Sequence, residues 1–115
     1  MATGAVGCLL LVACTSGGNA PGGGNARAGA IEITRDACGS CHEIPGIEEA
    51  IGRVGPSLRH FGSRQMIAGR LANTPANLQR WLKAPQSIAP GNAMPDQGLT
   101  DEQARDAAAY LERLK

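Results

Sequence analysis

Three residues in the run Cys38-Gly39-Ser40-Cys41-His42 are equipped for chemistry. Two thiols at this spacing, Cys38 and Cys41, can reach two vinyl groups on one edge of a porphyrin and form thioethers. The imidazole of His42, which follows at once, then stands under the iron and supplies its proximal nitrogen ligand. Cys-x-x-Cys-His is the attachment signature of a c-type haem. Two rival chemistries fit less well. A tetrahedral zinc site needs four ligands, yet the remaining cysteines, Cys8 and Cys14, lie far upstream and the only other histidine is His60. A thioredoxin-like dithiol wants a βαβ pattern, which the chain does not offer.

Composition agrees with a large apolar cofactor. The chain has 115 residues, room for one domain, and a net charge of +1. That charge gives no polyanion signal, so no nucleic-acid partner is expected. Aromatic content is 3%, carried by Phe61, Trp81 and Tyr110. Three rings are too few to fill a core, and domains below about 100 residues lean on a staple or a cofactor. A haem, flat and apolar, would supply the missing interior.

The elements that must position the motif can be read in order. Residues 1–14 look like an export signal, with an apolar run from Ala5 to Ala13. That run is shorter than the roughly 20 residues needed to span a bilayer. Leu11-Val12-Ala13-Cys14 resembles a bacterial lipobox, in which the leader is cut before Cys14 and the thiol takes a lipid; an ordinary cleaved signal is the alternative. No Lys or Arg precedes the apolar run, a departure from the usual signal pattern. Residues 15–28 are Gly-rich and read as a flexible linker, with an r.m.s. span of roughly 20 Å. The domain proper is expected over residues 29–115.

Within it, Arg27 to Cys38 is expected to hold a short helix with Ala30, Ile31 and Thr34 on one face. Gly39 is a turn position. Glu43 to Val54 reads as a loop broken by Pro45-Gly46 and Gly52. Ser63 to Leu71 reads as a short helix or turn. Thr74-Pro75 starts a helix that runs to about Ala84, with Leu78, Trp81 and Leu82 on one face. Pro85 to Pro95 holds enough proline and glycine to preclude a regular helix, and reads as a stiff strap carrying Met94. Met66 is the rival thioether, without a strap around it. Thr100 with Gln103 forms a capping box for the final helix, whose apolar face is Ala104, Ala107, Ala108, Leu111 and Leu114.

Gly55-Pro56-Ser57-Leu58 after the haem motif, and Pro90-Gly91 with Met94-Pro95 in the strap, make the chain resemble the class I cytochromes c over residues 27–115. The resemblance implies an all-α fold of about three to five helices wrapped around one covalent haem c, with first and last helices crossing. It implies that the Pro56 carbonyl accepts a hydrogen bond from His42, fixing its tautomer, and that Leu58 packs on the haem. Met94 would be the second axial ligand to the iron. Arg64 would approach a haem propionate, or else be a solvated surface charge. Trp81 would lie against the haem, or simply in the core. Ala30 and Thr34 stand where the family usually has a glycine and a large aromatic, which implies a looser helix crossing.

The stretch from Asn73-Thr74-Pro75 to Met94-Pro95 looks especially like the cytochrome c domain of caa3-type oxidase subunit II. The function implied is one-electron transfer through an exposed haem edge, not substrate chemistry. The alternative is a haem-based gas sensor or redox enzyme with an open sixth iron position. Partners would be redox proteins such as a terminal oxidase, a cytochrome bc1 complex or a dehydrogenase. The place would be the periplasmic side of a bacterial membrane, lipid-anchored through Cys14 or soluble. Six basic residues and no acidic one lie between Arg53 and Lys83. They either steer the domain to an acidic partner or are scattered solvated charges.

Overall fold

The computed structural model describes residues 2–4 and 22–115. The apolar leader core, Cys8, Cys14 and the first half of the linker lie outside the described residues. Helix α1 spans Ala26–Arg35, so it opens inside the stretch that composition reads as linker. Asn25 makes it start there: its side-chain oxygen accepts from Ala28 N at 3.0 Å, satisfying a free donor of the first turn. The same residue's N–H donates to Asp106 Oδ1 at 2.9 Å, tying the helix start to the other end of the domain. Helix α1 stops at Arg35, short of Cys38. Ala37 takes a left-handed conformation, φ 56°, which no continuing helix tolerates.

The face that α1 buries is one residue out of register with the face expected from spacing. Gly29 and Ile33 are buried, while Ile31 is 56% exposed. Gly29 is therefore the close-crossing residue, not Ala30, and Ile33 fills the position expected of Thr34. Thr34 turns its hydroxyl back to Ala30 O at 2.8 Å instead. The crossing is tight rather than loose. A Cβ on Gly29 would overlap the carbonyl of Asp106 on the facing helix.

That facing helix, α4, spans Asp101–Glu112. Thr100 accepts from Gln103 N at 3.2 Å and Gln103 returns the bond to Thr100 N at 2.9 Å, completing the capping box. Its inner face is Ala104, Ala107, Ala108, Ala109 and Leu111, all buried. Small side chains let the backbones approach. Thr100→Ala is expected to cost about 1 kcal/mol. Thermal unfolding of the haem-loaded protein should then show a midpoint lower by roughly 4–8 °C.

Between these helices the chain makes one small departure from an all-helical pattern. Ser63 to Leu71 is neither helix nor simple turn. It contains β1, Met66–Ile67, paired antiparallel with β2, Leu71–Ala72. Ala68 and Gly69 both adopt positive φ at the bend. Ile67 is buried and Met66 is 48% exposed, as alternation across a strand dictates.

Helix α2 spans Pro75–Lys83 behind a Thr74 cap, and buries Leu78 and Leu82. Pro85 then opens a one-turn helix, α3, Pro85–Ile88. The expectation of a wholly irregular strap fails here because proline suits the first position of a helix. The core joins Ile33, Ile44, Phe61, Ile67, Leu78 and Leu111 from nearly every element. Among the described residues no helix is long and apolar enough to cross a membrane.

Candidate haem site

The break at Ala37 lets the chemical motif form its own tight turn. Cys38–Ser40 is a single 3-10 turn. Cys41 N and His42 N both donate to Cys38 O, at 3.2 and 3.0 Å. The turn leaves Cys38 partly buried and Cys41 exposed. Gly39 makes no left-handed turn; it needs room, since a Cβ there would lie 2.7 Å from Ala50.

The following loop is laced onto the motif by its backbone. Gly52 N donates to Gly39 O at 3.0 Å, Gly55 N to Cys41 O at 2.7 Å, and Leu58 N to Glu43 O at 2.8 Å. Gly55 passes so close to His42 that a Cβ would overlap the imidazole. His42 Nδ1 lies 2.7 Å from Pro56 O. A carbonyl can only accept, so the proton is on Nδ1 and the Nε2 lone pair is free for a metal. Ser57 and Arg59 fix the segment that carries this carbonyl. Ser57 Oγ donates to Glu43 Oε1 at 2.6 Å and Arg59 Nε donates to the same oxygen at 2.8 Å. The Ser57 hydroxyl, then Arg59, hold the Glu43 carboxyl below the usual range.

A small cavity opens beside the motif. Cys38, Ile33, Leu58, Leu82, Met94 and Leu99 stand on its wall, which is almost wholly apolar. His42 is not one of the lining residues; it connects to them through Cys38 and through the loop that carries Leu58. Burial, then the nearby Asp36 carboxylate, pushes the Cys38 thiol up to about 11.

Met94 reaches the cavity on a strap held by two amide side chains. Gln86 Nε2 donates to Asn92 O at 2.8 Å and to Met94 O at 2.7 Å, while its Oε1 accepts from Gly91 N at 2.9 Å. Asn92 Oδ1 accepts from Met94 N at 2.7 Å, and its Nδ2 donates to Ala89 O at 2.7 Å. Side-chain amides thus replace the partners that an irregular backbone lacks. The sequence reading overlooked Gln86 and Asn92. The available signal was two amide residues flanking Pro90-Gly91, in a loop whose backbone cannot pair with itself.

The other expected residues are placed as follows. Leu58 is partly buried on the cavity wall. Trp81 is partly buried against the same core. Arg64 donates to the carbonyls of Ser57 and Arg59, and its guanidinium sits 5.5 Å over the Phe61 ring. It braces the loop below Pro56. Met66, on the exposed side of the hairpin, does not share the cavity wall with Met94.

A soft thioether and a thiol on one apolar wall, with an imidazole beside them whose Nε2 is free, fit a thioether-bound porphyrin iron. The comparison with known proteins decides the matter: a family model for cytochrome c matches residues 27–115. The chain belongs to the cytochrome c family. Two relatives are cytochrome c oxidase subunit 2 of Alkalihalophilus pseudofirmus, 38% identical over 81 residues, and that of Bacillus subtilis, 38% identical over 82 residues. The matches take in 70% and 68% of this chain but only 23% of each relative. This cytochrome c chain therefore spans about a quarter of the length of those proteins. The SoxXA structure from P. pantotrophus superposes with a TM-score of 0.64 at 23% identity, over 84% of both chains. Cytochrome c2 from Rhodobacter sphaeroides superposes with a TM-score of 0.53 at 20% identity, over 79% of this chain and 96% of that one. These likenesses show the class I cytochrome c fold. The family implies one covalently bound haem c as cofactor.

Proposed function

We propose that this cytochrome c is a single-haem electron carrier with His42 and Met94 as axial ligands and Cys38 and Cys41 as thioether attachments. The observation that carries the reading is the 2.7 Å contact of His42 Nδ1 with Pro56 O. A ring held this way presents Nε2 and resists rotation, so it suits a permanent ligand. The haem supplies the one-electron couple of its iron; the chain holds both ligands still. The imidazole is fixed by Pro56 and crowded by Gly55, and the thioether by the Gln86 and Asn92 bonds. Two fixed ligands keep reorganisation small when the oxidation state changes. Leu58 and Trp81 would pack against the haem, and the exposed Cys41 would hold it on the side open to solvent.

The partners are redox proteins of a respiratory chain: a terminal oxidase, a cytochrome bc1 complex or a dehydrogenase. Likeness to the oxidase subunits supports the first. The same likeness supports a place on the outer, periplasmic face of a bacterial membrane. Cys14 is the lipid attachment point in this reading; a lipid mass on a peptide beginning at Cys14 is its test. Electrostatic steering is narrower than the run of basic residues suggests. Arg59 pairs with Glu43, Lys83 pairs with Asp101, and Arg64 turns to backbone carbonyls. Within that run, Arg53, Arg70 and Arg80 are left exposed and outside the ion pairs among the described residues.

The test is the visible spectrum of the haem-loaded protein, oxidised and reduced, with and without carbon monoxide. A low-spin spectrum that ignores carbon monoxide in the reduced state is expected. A high-spin spectrum with ready carbon monoxide binding would remove Met94 as ligand and make the protein a gas sensor or redox enzyme with an open iron position.

A further inference from the structure

The cavity surface is almost wholly apolar, but acidic residues belong to its lining where α1 ends. There Glu32 and Asp36, one helical turn apart, line it together with Gln97; no Lys, Arg or His lines it. The Glu32 side chain is only 15% exposed, and its partner Arg35, 3.1 Å away, is 66% exposed and so largely in water. Asp36 is less provided for. Its Oδ2 is buried with no hydrogen-bond partner among the described residues. It also occupies the C-terminal end of α1, where the helix dipole is negative and repels a carboxylate. The unpartnered Oδ2 and the adverse dipole are two local costs. A positive charge across the cavity would offset them.

We propose that Asp36, with Glu32 behind it, is the fixed negative charge that stabilises the oxidised haem and so holds the reduction potential down. The inference rests on the reading that the haem occupies this cavity. Reduction brings in one electron from the donor protein and makes or breaks no bond. It takes the iron–porphyrin core from a net positive charge to neutral. A carboxylate on the wall attracts the first state and is indifferent to the second. The apolar lining leaves little solvent to screen that attraction. Asp36 is a tuning residue, acting through space on the haem without ligating it. It also opposes Met94, whose thioether favours the reduced state.

The experiment is a potentiometric titration of the haem-loaded full chain, comparing the parent with Asp36→Asn, Glu32→Gln and the exposed control Glu102→Gln. The amide variants keep shape and remove charge. Asp36→Asn is expected to raise the potential, increasing the ferrous-to-ferric ratio at a fixed ambient potential on the order of 10-fold. Glu32→Gln should give a smaller rise, and Glu102→Gln none. The Asp36 effect should persist at high salt, because buried charges are poorly screened. Unchanged potentials in haem-loaded Asp36→Asn with a parent-like spectrum would overturn this inference and leave the haem site standing. A difference that vanishes at high salt would also overturn it, by placing the carboxylate in water. If the parent takes up no haem, this inference and the reading of the cavity fall together.

Discussion

Replacing Met94 with alanine is expected to leave the haem attached but to open its sixth position, so that the reduced protein binds carbon monoxide stoichiometrically where the parent binds none. The strap makes the effect local. Gln86 holds the carbonyls of Asn92 and Met94, and Asn92 holds Met94 N. None of these bonds uses the Met94 side chain, so the backbone should stay in place when the thioether is cut away. Cys38 and Cys41 are untouched, so the haem stays covalently bound. Loss of a soft ligand should lower the reduction potential, since Met with His ligation raises it. The second candidate thioether is unable to substitute, because Met66 is 48% exposed on the hairpin. Truncation of a partly buried methionine costs about 2 kcal/mol or more, so the variant should still fold. Carbon monoxide difference spectra check the prediction; a low-spin, unresponsive variant would show that another residue ligates the iron.

Gly29→Ala should have the largest effect on stability. In an ordinary helix this change gains up to about 1 kcal/mol, because glycine is the more flexible residue. Here the sign reverses. The new Cβ would overlap the Asp106 carbonyl and lie 2.6 Å from its carbon and 3.1 Å from Ala107 N. Those atoms are helix backbone and cannot rotate away, so α1 must shift off α4. Overpacking costs about 1–3 kcal/mol, occasionally more, and backbone on both sides puts this site at the upper end. A midpoint lowered by roughly 10–20 °C is expected. Ala30→Gly, one position away on the partly exposed side, should cost only about 1 kcal/mol. Thermal unfolding of both variants therefore tests the register of the crossing directly: if Ala30 were the contact residue, the ranking would invert.

How far the sequence could be read depended on whether a residue carried its own geometric signal. Thr74-Pro75 and Thr100 with Gln103 did, because a cap bonds within four residues and needs no tertiary partner. Both helix starts came out as expected. The haem motif and the Gly55-Pro56 pair were legible for the same reason, being local in sequence. The face of α1 was not. Ala30, Ile31 and Thr34 have a helical spacing as good as that of Gly29 and Ile33. What chose between them was the need for a hydrogen atom, and nothing larger, under the Asp106 carbonyl 77 residues away. The hairpin Met66–Ala72 escaped because two-residue strands are too short to show a period. The Pro85–Ile88 turn escaped because its prolines were weighed as breakers, although the first of them stands where a helix begins. The bracing role of Arg64 depends on which carbonyls the Pro56 loop exposes, information that no local pattern contains.

The clasp of α1 on α4 also bears on how this protein comes together in time. Asn25 and Asp106, bonded to each other, are separated by 81 residues. Closing a loop of that length costs about 4 kcal/mol of chain entropy before any contact repays it. Such long-range closure slows folding relative to a bundle of neighbouring helices. Ile33, Ala107 and Leu111 belong both to the clasp and to the cavity wall. The clasp therefore cannot part without baring this cavity, and the two events form one cooperative unit. The slowest amide protons to exchange with water should be those of Ile33 and of Ala107 to Leu111, released only when the whole domain opens. In the native state the cavity is then guarded by the meeting of the first and last helices, far away along the chain from the strap that carries Met94.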